Sequence, residues 1–105
     1  MMEEIRQRID QGQFEFSLHA SNQSIARQIP VSEIREMILS AEIIEDYPND
    51  KYGPTVLLLG FTKAGRPLHL HLSTPARPVL KLITLYQPNP ALWIDFRFRR
   101  TTDTP

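Results

Sequence analysis

The chain has 105 residues and no cysteine, which excludes disulfides, thiolate chemistry and cysteine-based zinc sites. No apolar run approaches the ~20 residues that cross a bilayer, and the acidic start, Met1-Met2-Glu3-Glu4, lacks the hydrophobic segment of a signal peptide, so we expect a cytoplasmic protein. The net charge is zero, but residues 1–52 carry ten acidic and five basic side chains, whereas residues 53–105 carry seven basic and two acidic ones, which predicts a basic surface on the C-terminal side.

Three short helices are predicted in the first half of the chain. Apolar side chains recur three or four residues apart in the first and third, as on one face of an amphipathic helix. Ser17 and Ser32 are placed to cap the second and third helices by accepting a hydrogen bond from a free amide. Pro30 ends the second helix, because the residue before a proline avoids the helical region. The predicted helices cover residues 2–11, 18–28 and 33–41.

The remainder is typical of a sheet. The segment Thr55–Phe61 is almost continuously apolar, as in an interior strand that is covered on both faces. Residues 93–100 alternate apolar and charged side chains, which fits an edge strand or a tail that packs its apolar side. We expect an α+β domain over residues 1–100, with helices packed on a twisted antiparallel sheet of four to five strands, and a disordered tail over 101–105. The other predicted strands cover residues 14–16, 43–47, 66–73 and 79–86.

One predicted strand carries two of the three histidines of the chain. Strict alternation over residues 66–73 predicts that Leu68, Leu70 and Leu72 enter the core. His69 and His71 then stand side by side on the opposite, open face. Histidine exchanges a proton near neutral pH and also binds metals, so this face is a candidate site.

The second helix carries a row of polar side chains. His19, Gln23 and Arg27 are spaced four residues apart, which places them on roughly one face of the helix. Leu18, Ile25 and Ile29 lie elsewhere around the axis, so the polar row need not be buried.

Several short motifs follow one another along the chain: Phe16-Ser17-Leu18-His19-Ala20, Arg27-Gln28-Ile29, Ser32-Glu33-Ile34, Leu68-His69-Leu70, Ile83-Thr84-Leu85-Tyr86 and Trp93. Together they resemble the family of domain of unknown function 4258. The resemblance extends over about residues 14–100, and it implies a relationship to the small RelE/ParE/BrnT-like toxins of bacterial toxin–antitoxin pairs. That relationship implies a RelE-like α+β fold, RNA cleavage by histidine, tyrosine and basic residues on the open sheet face, and an antitoxin encoded nearby.

The chain departs from the family pattern at one position. The first family helix usually carries two arginines four residues apart after His-Ala, whereas here the first of these positions is Gln23 and only Arg27 remains. The balanced charge also differs from the basic character of most RNA-cleaving toxins.

A ribonuclease needs a base, an acid and cations for the phosphate. We therefore predict proton transfer by His19, His69 and His71, a hydrogen bond from Tyr86, and charge stabilisation by Arg27, without a cofactor. RNA, ribosome-bound or free, and the cognate antitoxin are the expected partners, and no membrane is expected. The predicted RNA-binding side chains are Lys81, Arg97, Arg99 and Arg100.

Two alternatives stay open. His19, His69 and His71 are compatible with a three-histidine zinc site. A non-catalytic protein-binding module is the other alternative, with Trp93, Phe96 and Phe98 as exposed interface anchors.

Overall fold

The computed structural model describes residues 1–101, which form three helices, a five-stranded sheet and a two-stranded hairpin. This architecture confirms the predicted α+β class with N-terminal helices. Apart from Thr101, the predicted disordered tail lies outside the described residues. The helices are α1 (Met2–Asp10), α2 (Leu18–Ala26) and α3 (Val31–Ser40). The strands are β1 (Phe14–Phe16), β2 (Glu42–Tyr47), β3 (Thr55–Phe61), β4 (Pro67–Ser73), β5 (Leu80–Tyr86), β6 (Trp93–Ile94) and β7 (Phe98–Arg99).

The strand order of the main sheet is β1-β5-β4-β3-β2. Strands β2 to β5 pair antiparallel through short connections, as predicted, but β1 runs parallel to β5. The expectation of a wholly antiparallel sheet is therefore wrong at this edge. Most of the chain separates β1 from β5, so no tight hairpin imposes an antiparallel direction on the pair.

The core lies between the helices and one face of the sheet. Leu68, Leu70 and Leu72 are fully buried there, as the alternation in β4 predicts. Ile5 of α1 and Met37 of α3 belong to the same buried cluster. Within residues 1–101, no helix is long and apolar enough to span a bilayer.

Helix α2 acts as a substitute for an edge strand beside β5. Strand β1 pairs only with residues 80–82 of β5, so the next backbone groups of that edge need other partners. The backbone amide and hydroxyl of Ser17 donate to the carbonyl oxygens of Leu82 (2.8 Å) and Ile83 (2.9 Å). The amide oxygen of Gln23 accepts from the backbone N–H of Leu85 at 2.7 Å.

This docking buries one member of the polar row of α2, while His19 and Arg27 remain exposed. Gln23 is buried by its bond to β5, while Leu18 and Ile25 are 79% and 76% exposed. The predicted Ser17 cap is confirmed, because its Oγ accepts from the N–H of Ala20 at 3.0 Å. Helix α3 instead starts from Pro30 without a side-chain cap, so the cap expected from Ser32 is wrong.

Candidate functional site

The candidate site lies on the sheet face opposite the helices. This face carries His69 and His71 of β4, and the C-terminal hairpin β6–β7 covers part of it. The hairpin covers His69 and leaves His71 partly exposed, so the two histidines have different environments.

His69 is fully buried beneath the hairpin. Its Nε2 lies 2.6 Å from the carbonyl oxygen of Phe96, and its Nδ1 lies 3.0 Å from the hydroxyl of Tyr86. Because a carbonyl only accepts, Nε2 carries the proton and Tyr86 donates to Nδ1. The imidazole and the Trp93 ring pack nearly perpendicular to each other, with centroids 4.5 Å apart. The open position expected for His69 is therefore wrong, since the hairpin covers it.

Burial keeps the His69 imidazole uncharged. Burial lowers the pKa of His69 and outweighs the opposing influence of the Phe96 hydrogen bond and of Glu45. Burial also raises the pKa of Tyr86 to about 12. At neutral pH the pair is a satisfied, uncharged contact that ties the sheet to the hairpin.

An ion pair between Arg99 of β7 and Glu45 of β2 also links the hairpin to the sheet. The Nε and Nη2 atoms of Arg99 donate to the two carboxylate oxygens of Glu45 at 2.9 and 3.1 Å, and the guanidinium lies 4.7 Å from the Trp93 ring centroid. Burial alone would raise the pKa of Glu45, but hydrogen bonds from Arg99 and Tyr47 lower it. Most of the charge of Arg99 is therefore engaged within the chain.

His71 is only partly covered, and a chain of hydrogen bonds orients it. The Thr55 hydroxyl donates to Asp50 Oδ2 at 2.9 Å, so its oxygen is left to accept from Nε2 of His71 at 2.8 Å. Nε2 also lies 3.5 Å from Asp50 Oδ2. This places the proton of a neutral His71 on Nε2 and leaves the Nδ1 lone pair available.

Burial favours the neutral form of His71. Burial lowers the pKa of His71, and it outweighs the attraction of Asp50 for a protonated ring. A backbone hydrogen bond from Tyr52, together with the Thr55 hydroxyl, lowers the pKa of Asp50. A carboxylate, a hydroxyl and a neutral imidazole thus form the Asp50–Thr55–His71 relay.

Two cavities meet at His71. The aromatic cavity, about 330 Å³ in volume, and the basic cavity, about 380 Å³, share Asp50, His71 and Thr84. The first is also lined by Tyr47, Leu57, Tyr86 and Arg99. The second is also lined by Ser17, His19, Lys51, Tyr52, Lys81 and Ile83.

A β-bulge brings Thr84 onto the floor of both cavities. His71 pairs with Thr84 and Leu72 pairs with Leu82, so Ile83 is an extra residue in β5. The bulge lets Ile83 and Thr84 both line the basic cavity although they are consecutive. Without it, the period of two would place one of them on the helix-covered face.

The structure brings together some of the predicted site residues and separates others. His19 and Lys81 meet His71 in the basic cavity, and Tyr86 and Arg99 meet it in the aromatic cavity. The remaining predicted side chains line neither cavity: His69, Arg27, Arg97 and Arg100. Arg97 pairs with Glu42 at 2.6 Å, and Arg100 donates to the carbonyl oxygen of Pro90.

Several residues of the site were not predicted from the sequence, among them Tyr47, Asp50 and Thr55. Asp50 lies in the loop between β2 and β3, and only the folded conformation of this loop places its carboxylate beside Thr55 at the start of β3. The one available signal is the polar Thr55 at the head of an otherwise apolar strand. That signal does not indicate which side chains the Thr55 hydroxyl binds.

The three-histidine zinc alternative is not formed. Both ring nitrogens of His69 have protein partners. Among residues 1–101 there is also no group of three or more histidine, aspartate or glutamate side chains that is arranged to hold a metal ion.

Comparison with known proteins extends this description to the family. Neither a curated protein nor a solved structure matches the chain. A family model, described as domain of unknown function DUF4258, matches residues 16–87, and this span includes α2, the relay and both cavities except Arg99. It confirms the family resemblance carried by the motifs. Since the match covers well over half of the sequence, the chain belongs to the DUF4258 family.

Proposed function

We propose that this chain is an RNA-cleaving protein of the toxin type, in which His71 is the general base. The observation that carries the proposal is the Asp50–Thr55–His71 relay at the boundary of two cavities. A neutral imidazole with its proton fixed on one nitrogen and a lone pair on the other is suited to accept a proton from a hydroxyl.

The proposed reaction needs only groups of the chain and of the RNA. His71 Nδ1 takes the proton of a ribose 2′-hydroxyl, and the 2′-oxygen forms a bond to the adjacent phosphorus. The bond from phosphorus to the 5′-oxygen breaks, and that oxygen receives a proton from His19. The products are a 2′,3′-cyclic phosphate and a free 5′-hydroxyl.

Lys81 supplies the cation of the proposed site. Its ammonium lies 3.2 Å from Glu15 in a partly exposed pair, and such pairs are weak. A phosphate in the basic cavity can therefore replace Glu15 as the partner of Lys81. Lys51 lines the same cavity and adds positive charge.

The first experiment incubates the purified chain with a single-stranded RNA oligonucleotide in EDTA. We expect cleavage that leaves a 2′,3′-cyclic phosphate, and no cleavage at a position that carries a 2′-deoxyribose. His71→Gln should lower the rate by about 10²- to 10⁴-fold, the usual contribution of general acid–base catalysis. Lys63→Ala, an exposed lysine in the β3–β4 turn, is the control and should retain the rate. Cleavage that survives His71→Gln would contradict the proposal.

Thr55 has a positioning role in the same site. Thr55→Val keeps the shape of the side chain but removes the hydroxyl between Asp50 and His71. We expect the acidic limb of the pH–rate profile to move as well as the rate to fall, because the proton on Nε2 is no longer held. A lower rate with an unchanged pH profile would indicate a merely structural role.

A second candidate function is binding to a cognate antitoxin without catalysis. Trp93 is buried and Phe96 is partly covered, so they do not act as exposed anchors, although Phe98 is exposed. The exposed Leu18 and Ile25 on α2 favour a protein partner instead. Co-expression with the product of the adjacent gene tests this. We expect a stable complex that Leu18→Ser with Ile25→Ser disrupts, and no complex with the unaltered chain would contradict it.

A further inference from the structure

We propose that the two cavities form one nucleotide site, in which the aromatic cavity takes the nucleobase and the basic cavity takes the 3′-phosphate of the same nucleotide. This inference rests on the proposed RNA cleavage and names its substrate as a single-stranded segment. The nucleotide concerned is the one on the 5′ side of the broken bond.

The order of groups in a ribonucleotide matches the order of groups along the site. The base is attached to C1′, the attacking hydroxyl to C2′ and the attacked phosphate to C3′. The base and the phosphate therefore lie on opposite sides of the hydroxyl. His71 lines both cavities and lies where they meet, so it faces the position that the 2′-hydroxyl would occupy.

The aromatic cavity has the chemistry of a base-stacking pocket. Tyr47 and Tyr86 provide rings and Leu57 provides an apolar floor, and bases stack on such surfaces with little dependence on sequence. Arg99 binds Glu45 through Nε and Nη2, while its Nη1 makes no hydrogen bond within residues 1–101. Nη1 can therefore donate to an oxygen or nitrogen on the base edge.

The requirement for an inserted base defines the substrate class. A base in a duplex is paired and stacked on its neighbours, whereas a base in a single strand can turn into a pocket. Arg99 is held against Trp93 and Glu45, so the wall of the pocket is fixed before RNA arrives. The site therefore suits unpaired RNA rather than a helix.

The basic cavity completes the site on the phosphate side. Lys81 and His19 approach it from β5 and α2, and Ser17, the cap of α2, also lines it. Inorganic phosphate should therefore bind in this cavity alone. A nucleoside 3′-monophosphate should bind in both cavities and more tightly.

The test measures binding rather than cleavage. Guanosine 3′-monophosphate, uridine 3′-monophosphate and inorganic phosphate are titrated into the ¹⁵N-labelled chain, and amide shifts give the site and the Kd. Both nucleotides should shift β2, β4 and β5, and phosphate should shift only residues of the basic cavity. Tyr47→Ala should weaken nucleotide binding by about 5- to 150-fold, as loss of one stacked ring predicts. It should leave the phosphate Kd unchanged, and Tyr47→Phe should retain nucleotide affinity.

Two results would overturn the inference. One is equal affinity for the nucleotides and for inorganic phosphate. The other is an equal loss of nucleotide affinity in Tyr47→Ala and Tyr47→Phe, because this would assign binding to the hydroxyl rather than to the ring.

An abasic oligonucleotide separates this inference from the proposed function. If an abasic ribose 5′ of the broken bond is cleaved as fast as an intact nucleotide, base binding is wrong and RNA cleavage stands. If the nucleotides bind in both cavities but RNA stays intact, the nucleotide site stands and RNA cleavage is wrong.

Discussion

Two histidines that are two residues apart on one strand have different environments in this structure. His69 has a partner on each ring nitrogen and is sealed by Trp93, whereas His71 has a partner on Nε2 and faces two cavities. The alternation of β4 predicts which face both occupy, but not what covers that face. The cover comes from a hairpin more than twenty residues away, and no local pattern encodes its position.

The buried imidazole of His69 predicts a pH-dependent stability. Its pKa is lowered from 6.5 in the folded state, so below pH 6.5 the unfolded chain binds a proton that the folded chain excludes. The free energy of unfolding should therefore decrease as the pH falls from 6.5 toward the folded pKa, by at most about 1.4 kcal/mol per pH unit. His69→Gln should show a shallower decrease in urea titrations at pH 7.5, 6.5 and 5.5. Equal slopes in the two proteins would contradict the assigned neutral state.

Among the secondary-structure elements, α2 shows where prediction from sequence succeeds and where it fails. The Ser17 cap and the stop before Pro30 are local, and the helix forms where they predict. Its orientation depends on β5, because β1 is too short to pair with the whole edge of that strand. The need to satisfy the N–H of Leu85 turns Gln23 inward, and this need arises only from the assembled sheet.

Gln23 therefore has a measurable role in stability. Gln23→Leu removes the acceptor of the buried Leu85 N–H and should lower the free energy of unfolding by about 1–3 kcal/mol, the cost of an unsatisfied buried donor. Asn22→Leu, at an exposed position of the same helix, is the matched control and should change stability by at most about 0.5 kcal/mol. Urea denaturation measures both, and equal changes would show that the hydrogen bond is not the cause.

The packing of α3 against β3 depends on one residue, Gly60. A Cβ on Gly60 would overlap the backbone carbonyl of Met37, so the two elements approach closely only because that position has no side chain. The sequence shows a glycine inside an apolar strand, which marks a close approach or a bulge. It does not show which neighbour approaches.

For the molecule as a whole, the two oppositely charged halves of the sequence neutralise one another. Four of the seven basic side chains of the second half pair with acidic groups of the first, so part of the positive charge expected on the C-terminal side is engaged within the fold. Composition predicts the excess of charge in each half, and only the three-dimensional pairing shows which groups are engaged. These pairs are Arg66–Glu33, Lys81–Glu15, Arg97–Glu42 and Arg99–Glu45.

This neutralisation predicts a weak dependence of RNA binding on salt. With about two to three phosphate contacts, the plot of log K against log salt concentration should have a slope of about −1.4 to −2.1. Fluorescence anisotropy with a 2′-deoxy-substituted oligonucleotide at several salt concentrations measures it. Lys81→Ala should reduce the magnitude of the slope by about 0.7. A much steeper slope would indicate a basic surface outside the proposed site.

The backbone of the C-terminal hairpin has a further consequence. Asp95 and Phe96, the two central residues of its turn, both have positive φ values (52° and 61°), a conformation that hairpin turns usually assign to asparagine and glycine. Phe96 bears the larger steric cost, and in return its ring meets Phe61 and its carbonyl accepts from His69. A turn strained in this way relaxes once its contacts with the sheet break. The hairpin should therefore detach from the sheet and open before the sheet unfolds, because an isolated two-stranded hairpin is only marginally stable in water. Native-state hydrogen exchange would register this as early, correlated loss of protection at the amides of Trp93, Arg97 and Arg100, which bond to carbonyl oxygens within the hairpin segment.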